Sequence, residues 1–226
     1  MPRLLIPLVF HILLYNNTDG SFGPTVYGAA AENVAKLVQL ANMMSARTNI
    51  QFSVKEVRND PARYPYLLRG NRSAWLHCFS SRSCLAGFDL YFQCVRGAAA
   101  DFPRSINVYV ASDSTATSKI VGSATLPGSD VSPPAGYALL TWDSLTTGTQ
   151  PETYYDGGVT LVHEPFHFLG LAHTFGPDND GGGCEAGGDD YVNDTPSTAG
   201  ARVMSGRTAA NVSHIIRRYM PCSPSS

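Results

Sequence analysis

The chain has 226 residues, of which 43% are hydrophobic, and a formal net charge of −2. This length is sufficient for one globular core and short for two full domains. The 16 Lys and Arg residues are balanced by 18 Asp and Glu residues without a basic run, which argues against a nucleic-acid or anionic-membrane partner. No apolar run approaches the roughly 20 residues of a membrane-spanning helix, so we expect a soluble protein.

Three elements are predicted in the N-terminal part. The β-forming run Leu4–Tyr15 predicts a buried strand, and Pro7 and His11 within it disfavour the alternative of a signal peptide. Apolar residues at helical spacing predict a helix over Ala29–Ala46. The residues of its buried face are Val34, Leu37, Val38, Ala41 and Met44. Alternating apolar residues over Ile50–Val54 predict a second strand.

The middle of the chain divides into an insertion and a series of short strands. Between about residues 59 and 104 the periodicity is lost among Pro, Arg, Gly, Ser and three cysteines, which predicts a long surface insertion. Apolar runs then predict strands at Ile106–Val110, Ile120–Leu126 and Tyr137–Trp142. Helical spacing predicts a second helix over Asp156–Leu169.

The segment that carries chemistry is HEPFHFLGLAH, residues 163–173. His163 and His167 are spaced i, i+4, so on a helix they project from one face and can reach a single Zn²⁺. Glu164 lies beside them and suits a general base that deprotonates a metal-bound water. Gly170 permits a turn that brings His173 round as a third ligand. Three protein ligands leave one position open, as in catalytic zinc sites.

This string resembles the zinc signature HExxHxxGxxH of the metzincin metallopeptidases, and residues 163–175 resemble the pappalysin-type (cytophagalysin) branch. Residues 6–11 are similar to the opening strand of that branch, residues 106–128 to its middle strands, and residues 183–196 to its GC…GDxVxDTP loop. The resemblance implies an α/β (α+β) fold. Its parts are a twisted, mixed, five-stranded sheet, a backing helix, and an active-site helix over an irregular lower lobe.

The resemblance also implies a function and a domain plan. The chain would be a zinc-dependent endopeptidase that hydrolyses peptide bonds in protein substrates, with Glu164 activating a zinc-bound water. The implied zinc ligands are His163, His167 and His173. A single catalytic domain, residues 1–226, would comprise an upper lobe (1–173) and a lower lobe (174–226). An extended substrate peptide is expected along the edge strand at residues 120–126.

Several features of the lower lobe stay open. Five aspartates after the third histidine either bind Ca²⁺, as in the family, or form a solvated acidic loop. They are Asp178, Asp180, Asp189, Asp190 and Asp194. Met220 is favoured over Met204 as the family's methionine turn, which places Cys222 where the family has a tyrosine. A disulfide between Cys184 and Cys222 is one open pairing.

Two residues in the predicted active-site helix depart from the family pattern. Pro165 removes a helical hydrogen bond and predicts a kink between Glu164 and His167. Phe166 replaces a small glycine and predicts a crowded site. With Cys222, these departures favour an alternative function, a catalytically impaired zinc-binding domain used for recognition or matrix attachment.

The cysteines and glycosylation motifs indicate the compartment. None of the five cysteines forms a CxxC pair, and N-x-[ST] sequons occur at Asn16, Asn71, Asn193 and Asn211. Both observations favour an oxidising, extracellular setting. The chain has no clear signal peptide and stops before the family's final helix, so we expect a truncated sequence. The isolated His11, His77 and His214 are assigned no ligand role.

Overall fold

The computed structural model describes residues 3–77, 99–113, 121–125, 137–147 and 157–171. Contacts between Cα atoms divide the chain into two compact units, Met1–Leu169 and Gly170–Ser226. All helices and strands given below lie in the first unit, and only Gly170 and Leu171 of the second are described.

A five-stranded mixed sheet forms the centre of the first unit. In spatial order its strands are β4 (Ile50–Arg58), β1 (Leu4–Ile12), β6 (Ile106–Val110), β8 (Tyr137–Leu140) and β7 (Gly122–Ala124). The first four run parallel, and β7 pairs antiparallel with β8 at one edge. Strands β6 and β8 are buried throughout, as the near-continuous apolar sequences of parallel strands require. The predicted mixed five-stranded sheet is confirmed.

Of the helices in the described ranges, three cover one face of this sheet: α1 (Ala30–Met44), α3 (Trp142–Thr147) and α4 (Gly157–Phe168). The predicted helices α1 and α4 are confirmed. Met44 is exposed, contrary to prediction, because the buried stripe of α1 ends one turn earlier, at Ala41. Helix α3 falls outside the predicted elements because its short sequence, WDSLTT, has no apolar period. In the part of the chain that the structure describes, each helix is too short or too polar to cross a membrane.

A smaller sheet lies beyond the end of β1. It consists of β3 (Phe22–Gly23), β2 (Leu14–Asn16) and β5 (Leu68–Asn71). The strand predicted over Leu4–Tyr15 is therefore two strands in two sheets. The break falls at Leu13, where Trp75 Nε1 donates a hydrogen bond of 2.9 Å to the Leu13 carbonyl. The side chain of a covering helix, α2 (Arg72–Leu76), thus pairs with the backbone at the junction.

The first part of the predicted surface insertion covers the second face of the central sheet. Leu67 and Trp75 are buried there. They pack in one cluster with Leu13, Tyr15, Tyr109, Ala111, Tyr137 and Leu139. The expectation of a surface segment is therefore wrong for this part. Its periodicity is absent because a 3₁₀ turn, a strand and a short helix follow one another, each too short to show a period. The three cysteines of the insertion lie outside the described residues.

A buried polar network joins both ends of the insertion to the sheet. His11 Nδ1 lies 2.7 Å from the Tyr66 hydroxyl, and His11 Nε2 lies 2.9 Å from Asn107 Oδ1. Asn107 Oδ1 also accepts a hydrogen bond of 2.8 Å from the backbone N–H of Ala100. Because Arg58 donates to the Tyr66 hydroxyl, that hydroxyl is free to donate to His11, which makes Nε2 the protonated nitrogen. The histidine therefore ties residues 66 and 100 to β1 and β6.

Candidate metal and catalytic site

Helix α4 carries the candidate site and is fixed by close packing at its N-terminal end. A Cβ at Gly157 would lie 1.9 Å from the carbonyl oxygen of Ser144 in α3 and 2.8 Å from Leu37 Cδ1 in α1. One turn further along, Leu161 is completely buried in the core. Any side chain at position 157 would push α4 away from its neighbours. The start of the helix is therefore held in place by both α1 and α3.

His163 and His167 lie one helical turn apart with their rings converging. Their Nε2 atoms are 2.8 Å apart, and the ring planes meet at 84°. In a tetrahedral zinc site, two nitrogens each about 2.0–2.1 Å from the metal lie about 3.3 Å from each other. A small side-chain adjustment would therefore bring both nitrogens onto one ion. Imidazole nitrogen is also a donor that Zn²⁺ prefers, so this pair fits two of the ligands of a zinc site.

The third predicted ligand, His173, lies outside the described residues. Within the ranges that the structure does describe, no group of three or more His, Cys, Asp or Glu side chains could hold a metal ion. The turn that would lead to His173 begins as predicted, because α4 ends at Phe168 and Gly170 has a φ of 103°. That angle is in the left-handed region that favours glycine. The structure thus brings two of the three predicted ligands together.

The predicted features of the lower lobe also fall outside the described residues. These are the five aspartates considered for Ca²⁺, the two candidate methionines Met204 and Met220, and the cysteines Cys184 and Cys222. They stay predictions.

Glu164, the predicted general base, points into a buried position next to the edge strand β7. Its residue is 5% exposed, and it lies against Gly122 of that strand. Burial alone raises the pKa of its carboxyl to about 8, with no hydrogen bond or charged neighbour among the described residues contributing. Within the described part of the chain, no hydrogen bond engages the carboxyl oxygens.

Pro165 and Phe166 disturb the site less than their sequence positions predict. Helix α4 continues through Pro165 to Phe168, and the backbone N–H of Leu169 donates a hydrogen bond of 3.0 Å to the Pro165 carbonyl. Any change of axis at Pro165 leaves the two imidazoles in contact. The Phe166 ring packs on the core, with its centroid 6.4 Å from that of Phe52. Its bulk is therefore used in the core.

The contact between Gly122 and Glu164 is a feature of the site that the sequence did not reveal. A glycine inside a strand pattern signals the close approach of another group. The sequence does not say which group approaches, because the partner lies more than 40 residues away in the chain. Only the pairing of β7 with β8 and the packing of α4 bring the two residues together.

The mixed sheet with a histidine-bearing helix packed on it is compatible with a metzincin-like peptidase domain. Residues 90–219, more than half of the chain, match the model of a peptidase family described as pregnancy-associated plasma protein-A. The chain belongs to this family. The match confirms the resemblance to the pappalysin-type branch that the zinc signature indicates.

Individual relatives match a shorter stretch. Two proteins named extracellular metalloprotease, from Arthroderma benhamiae and Trichophyton verrucosum, are each 52% identical to this chain over 42 residues. The matched stretch is 19% of this chain and spans only 13% of the length of each relative. Together with the family match, these relatives place the chain among the metallopeptidases.

Proposed function

We propose that the chain is the catalytic domain of a secreted, zinc-dependent endopeptidase that hydrolyses peptide bonds in protein substrates. The observation that carries the proposal is a buried Glu164, without a hydrogen-bond partner among the described residues, on the same helix as two converging imidazoles. His163, His167 and His173 would hold the zinc ion. When bound, Zn²⁺ supplies Lewis acidity to the scissile carbonyl and the attacking water. The similarity to proteins named extracellular metalloprotease supports an extracellular site of action.

Glu164 acts as the general base and then as the general acid. In its deprotonated form, the carboxyl accepts a proton from the water that attacks the peptide carbonyl. It returns that proton to the amine as the carbon–nitrogen bond breaks, so the residue is unchanged after each cycle. Burial supports this role, because a side chain shielded from bulk water interacts more strongly with the charge that develops in the reaction.

The substrate peptide binds in an extended conformation along β7. Among the described strands, β7 is at the edge of the sheet and pairs on one side with β8. An edge strand can bind a peptide through main-chain hydrogen bonds, which require no particular side chains. Because Gly122 of β7 touches Glu164, a peptide on this strand lies next to the general base.

The proposal is tested by cleavage of a denatured protein with the purified chain, Zn²⁺ and Ca²⁺. Calcium is included because of the five aspartates predicted near the site. We expect a chelator to stop cleavage and added zinc to restore it. Glu164→Gln should lower the rate by about 10²–10⁴-fold, the usual contribution of a general base. Glu32→Gln, which neutralises an exposed carboxylate on α1, is the matched control and should cleave like the wild type.

Two results would contradict the proposal. One zinc ion per chain without any cleavage would favour the alternative of a recognition domain. Cleavage that survives both the chelator and Glu164→Gln would exclude the metal-dependent mechanism.

A further inference from the structure

Gly122 in β7 lies directly against the side chain of Glu164. A Cβ atom at this position would be 2.7 Å from Glu164 Oε1, 2.8 Å from Glu164 Cγ and 2.7 Å from Thr160 Cγ2. These separations are all under 3.0 Å, the distance below which real Cβ contacts essentially never occur. Any side chain at position 122 therefore requires a neighbour to move.

Of the two neighbours, Glu164 moves more easily. Thr160 is β-branched, so its rotamer in a helix is restricted, and it is 6% exposed. The start of α4 is held by the contact of Gly157 with α3. Glu164 has a longer side chain with more rotatable bonds, and no hydrogen bond among the described residues contributes to its pKa. A methyl group at position 122 would displace the carboxylate and leave the helix in place.

We propose that Gly122 is a positioning residue, whose missing side chain sets the place of the Glu164 carboxylate beside β7. This inference rests on the proposed function of Glu164 as the general base. Misplacing a catalytic group by about 1 Å can lower the rate by about 10²-fold. The φ of Gly122 lies outside the left-handed region, so alanine at this position adds a methyl group without straining the backbone.

The kinetic test compares Gly122→Ala with the zinc-loaded wild type. We expect kcat to fall by about 10²-fold, with KM within about two-fold of the wild-type value, because the base is displaced and the main chain of β7 is intact. Gly28→Ala is the matched control, since a Cβ there meets nothing within 4 Å, and it should leave both constants unchanged. An unchanged kcat, or a loss confined to KM, would overturn the inference.

A rescue variant separates displacement of Glu164 from displacement of the whole helix. Thr160→Ser removes the Cγ2 methyl group that a new Cβ would meet and leaves Glu164 as it is. In the Gly122→Ala background it should fail to restore kcat. Restoration would mean that Thr160 had pushed α4 away from β7, and the inference would be wrong.

A double-mutant cycle on the free energy of unfolding needs no activity. Gly122→Ala and Glu164→Ala should be non-additive, because removing the Glu164 side chain removes its collision with the new methyl group. Simple additivity would overturn the inference. The two possible failures are distinct. Absence of Glu164-dependent cleavage in the wild type overturns the proposed function and the inference with it, whereas a fully active Gly122→Ala beside an inactive Glu164→Gln overturns the inference alone.

Discussion

His11 and Glu164 are both buried titratable residues of the same unit, on opposite faces of the central sheet. Both ring nitrogens of His11 have hydrogen-bond partners, and its ring stacks on Tyr109 with centroids 4.3 Å apart. Glu164 has no such partners among the described residues, and it lies beside an edge strand. Burial lowers the pKa of His11 to about 4 and raises the pKa of Glu164 to about 8.

For two equally buried groups, the presence or absence of hydrogen-bond partners distinguishes a structural from a chemical role. A buried polar group with all its hydrogen bonds satisfied stabilises one arrangement of the fold. A buried polar group without partners costs free energy, and such a cost is typical of a residue kept for catalysis. We therefore assign His11 to the fold and Glu164 to the reaction.

The largest effect is expected at the candidate metal ligands, which lie on the same helix as Glu164. His163→Ala should lower zinc affinity by more than the roughly 10–100-fold caused by the loss of a group that hydrogen-bonds to a metal ligand. His77→Ala is the control, because His77 is exposed and, within the described residues, its ring bonds to the Ser73 carbonyl of its own helix. The zinc content of each variant is measured after dialysis. Equal zinc retention in the two variants would remove His163 from the site.

Substitution of His11 is expected to lower the free energy of unfolding without lowering catalytic activity. His11→Leu removes one hydrogen bond from the Tyr66 hydroxyl, which keeps Arg58 as a partner. It also removes one from Asn107 Oδ1, which keeps the Ala100 N–H, at a cost of about 0.5–1.5 kcal/mol for each bond. The free energy of unfolding in urea should fall by about 1–3 kcal/mol, while the rate per folded molecule stays at the wild-type value. A stable but inactive His11→Leu chain would mean that His11 serves the reaction and not the fold.

The pH dependence of stability should report the same buried histidine. In the unfolded chain His11 takes up a proton below about pH 6.5, whereas in the folded chain it does so only near pH 4. Between these values the unfolded state binds more protons, so stability falls as the pH falls. The contribution is about 3 kcal/mol over this window. Urea unfolding at a series of pH values should show it in the wild type, and its persistence in His11→Leu would contradict the assignment.

The smallest effect is expected from a single hydroxyl of the network. Tyr66→Phe removes the group that bonds to both His11 and Arg58 and should cost about 1–2 kcal/mol of unfolding free energy. Tyr64→Phe is the matched control, since the Tyr64 hydroxyl donates to Glu56 near the surface, and it should cost less. Thermal unfolding of the two variants measures the difference. An equal loss would mean that the bond to His11 adds nothing.

The strands and helices with clear periods could be predicted from the sequence. Strand β6 occupies the predicted residues, and α4 differs from its prediction by one residue at each end. The division of the first predicted strand at Leu13 could not be predicted, because it depends on Trp75, a residue distant in sequence. Helix α3 falls outside the predicted elements because, in its six residues, only the apolar side chains of Trp142 and Leu145 pack on the core, too few to show a period.

The candidate site could be predicted as a set of residues but not as a packed arrangement. The spacing of the histidines is local to one helix, so it places His163 and His167 on one face without knowledge of the fold. The burial of Glu164 depends on where β7 lies, and the hydrogen bonds of His11 depend on Tyr66 and Asn107. These contacts follow from the tertiary fold, which local patterns do not specify.

The assignment of the two buried groups is tested most directly by one measurement on both. This is the kcat of zinc-loaded Glu164→Gln and His11→Leu on the same denatured protein substrate, at equal concentrations of folded chain. We expect Glu164→Gln to lose about 10² or more in kcat, and His11→Leu to keep the wild-type kcat despite its lower stability. Wild-type turnover in Glu164→Gln, or a comparable loss in His11→Leu, would contradict the separation of a catalytic from a structural buried residue.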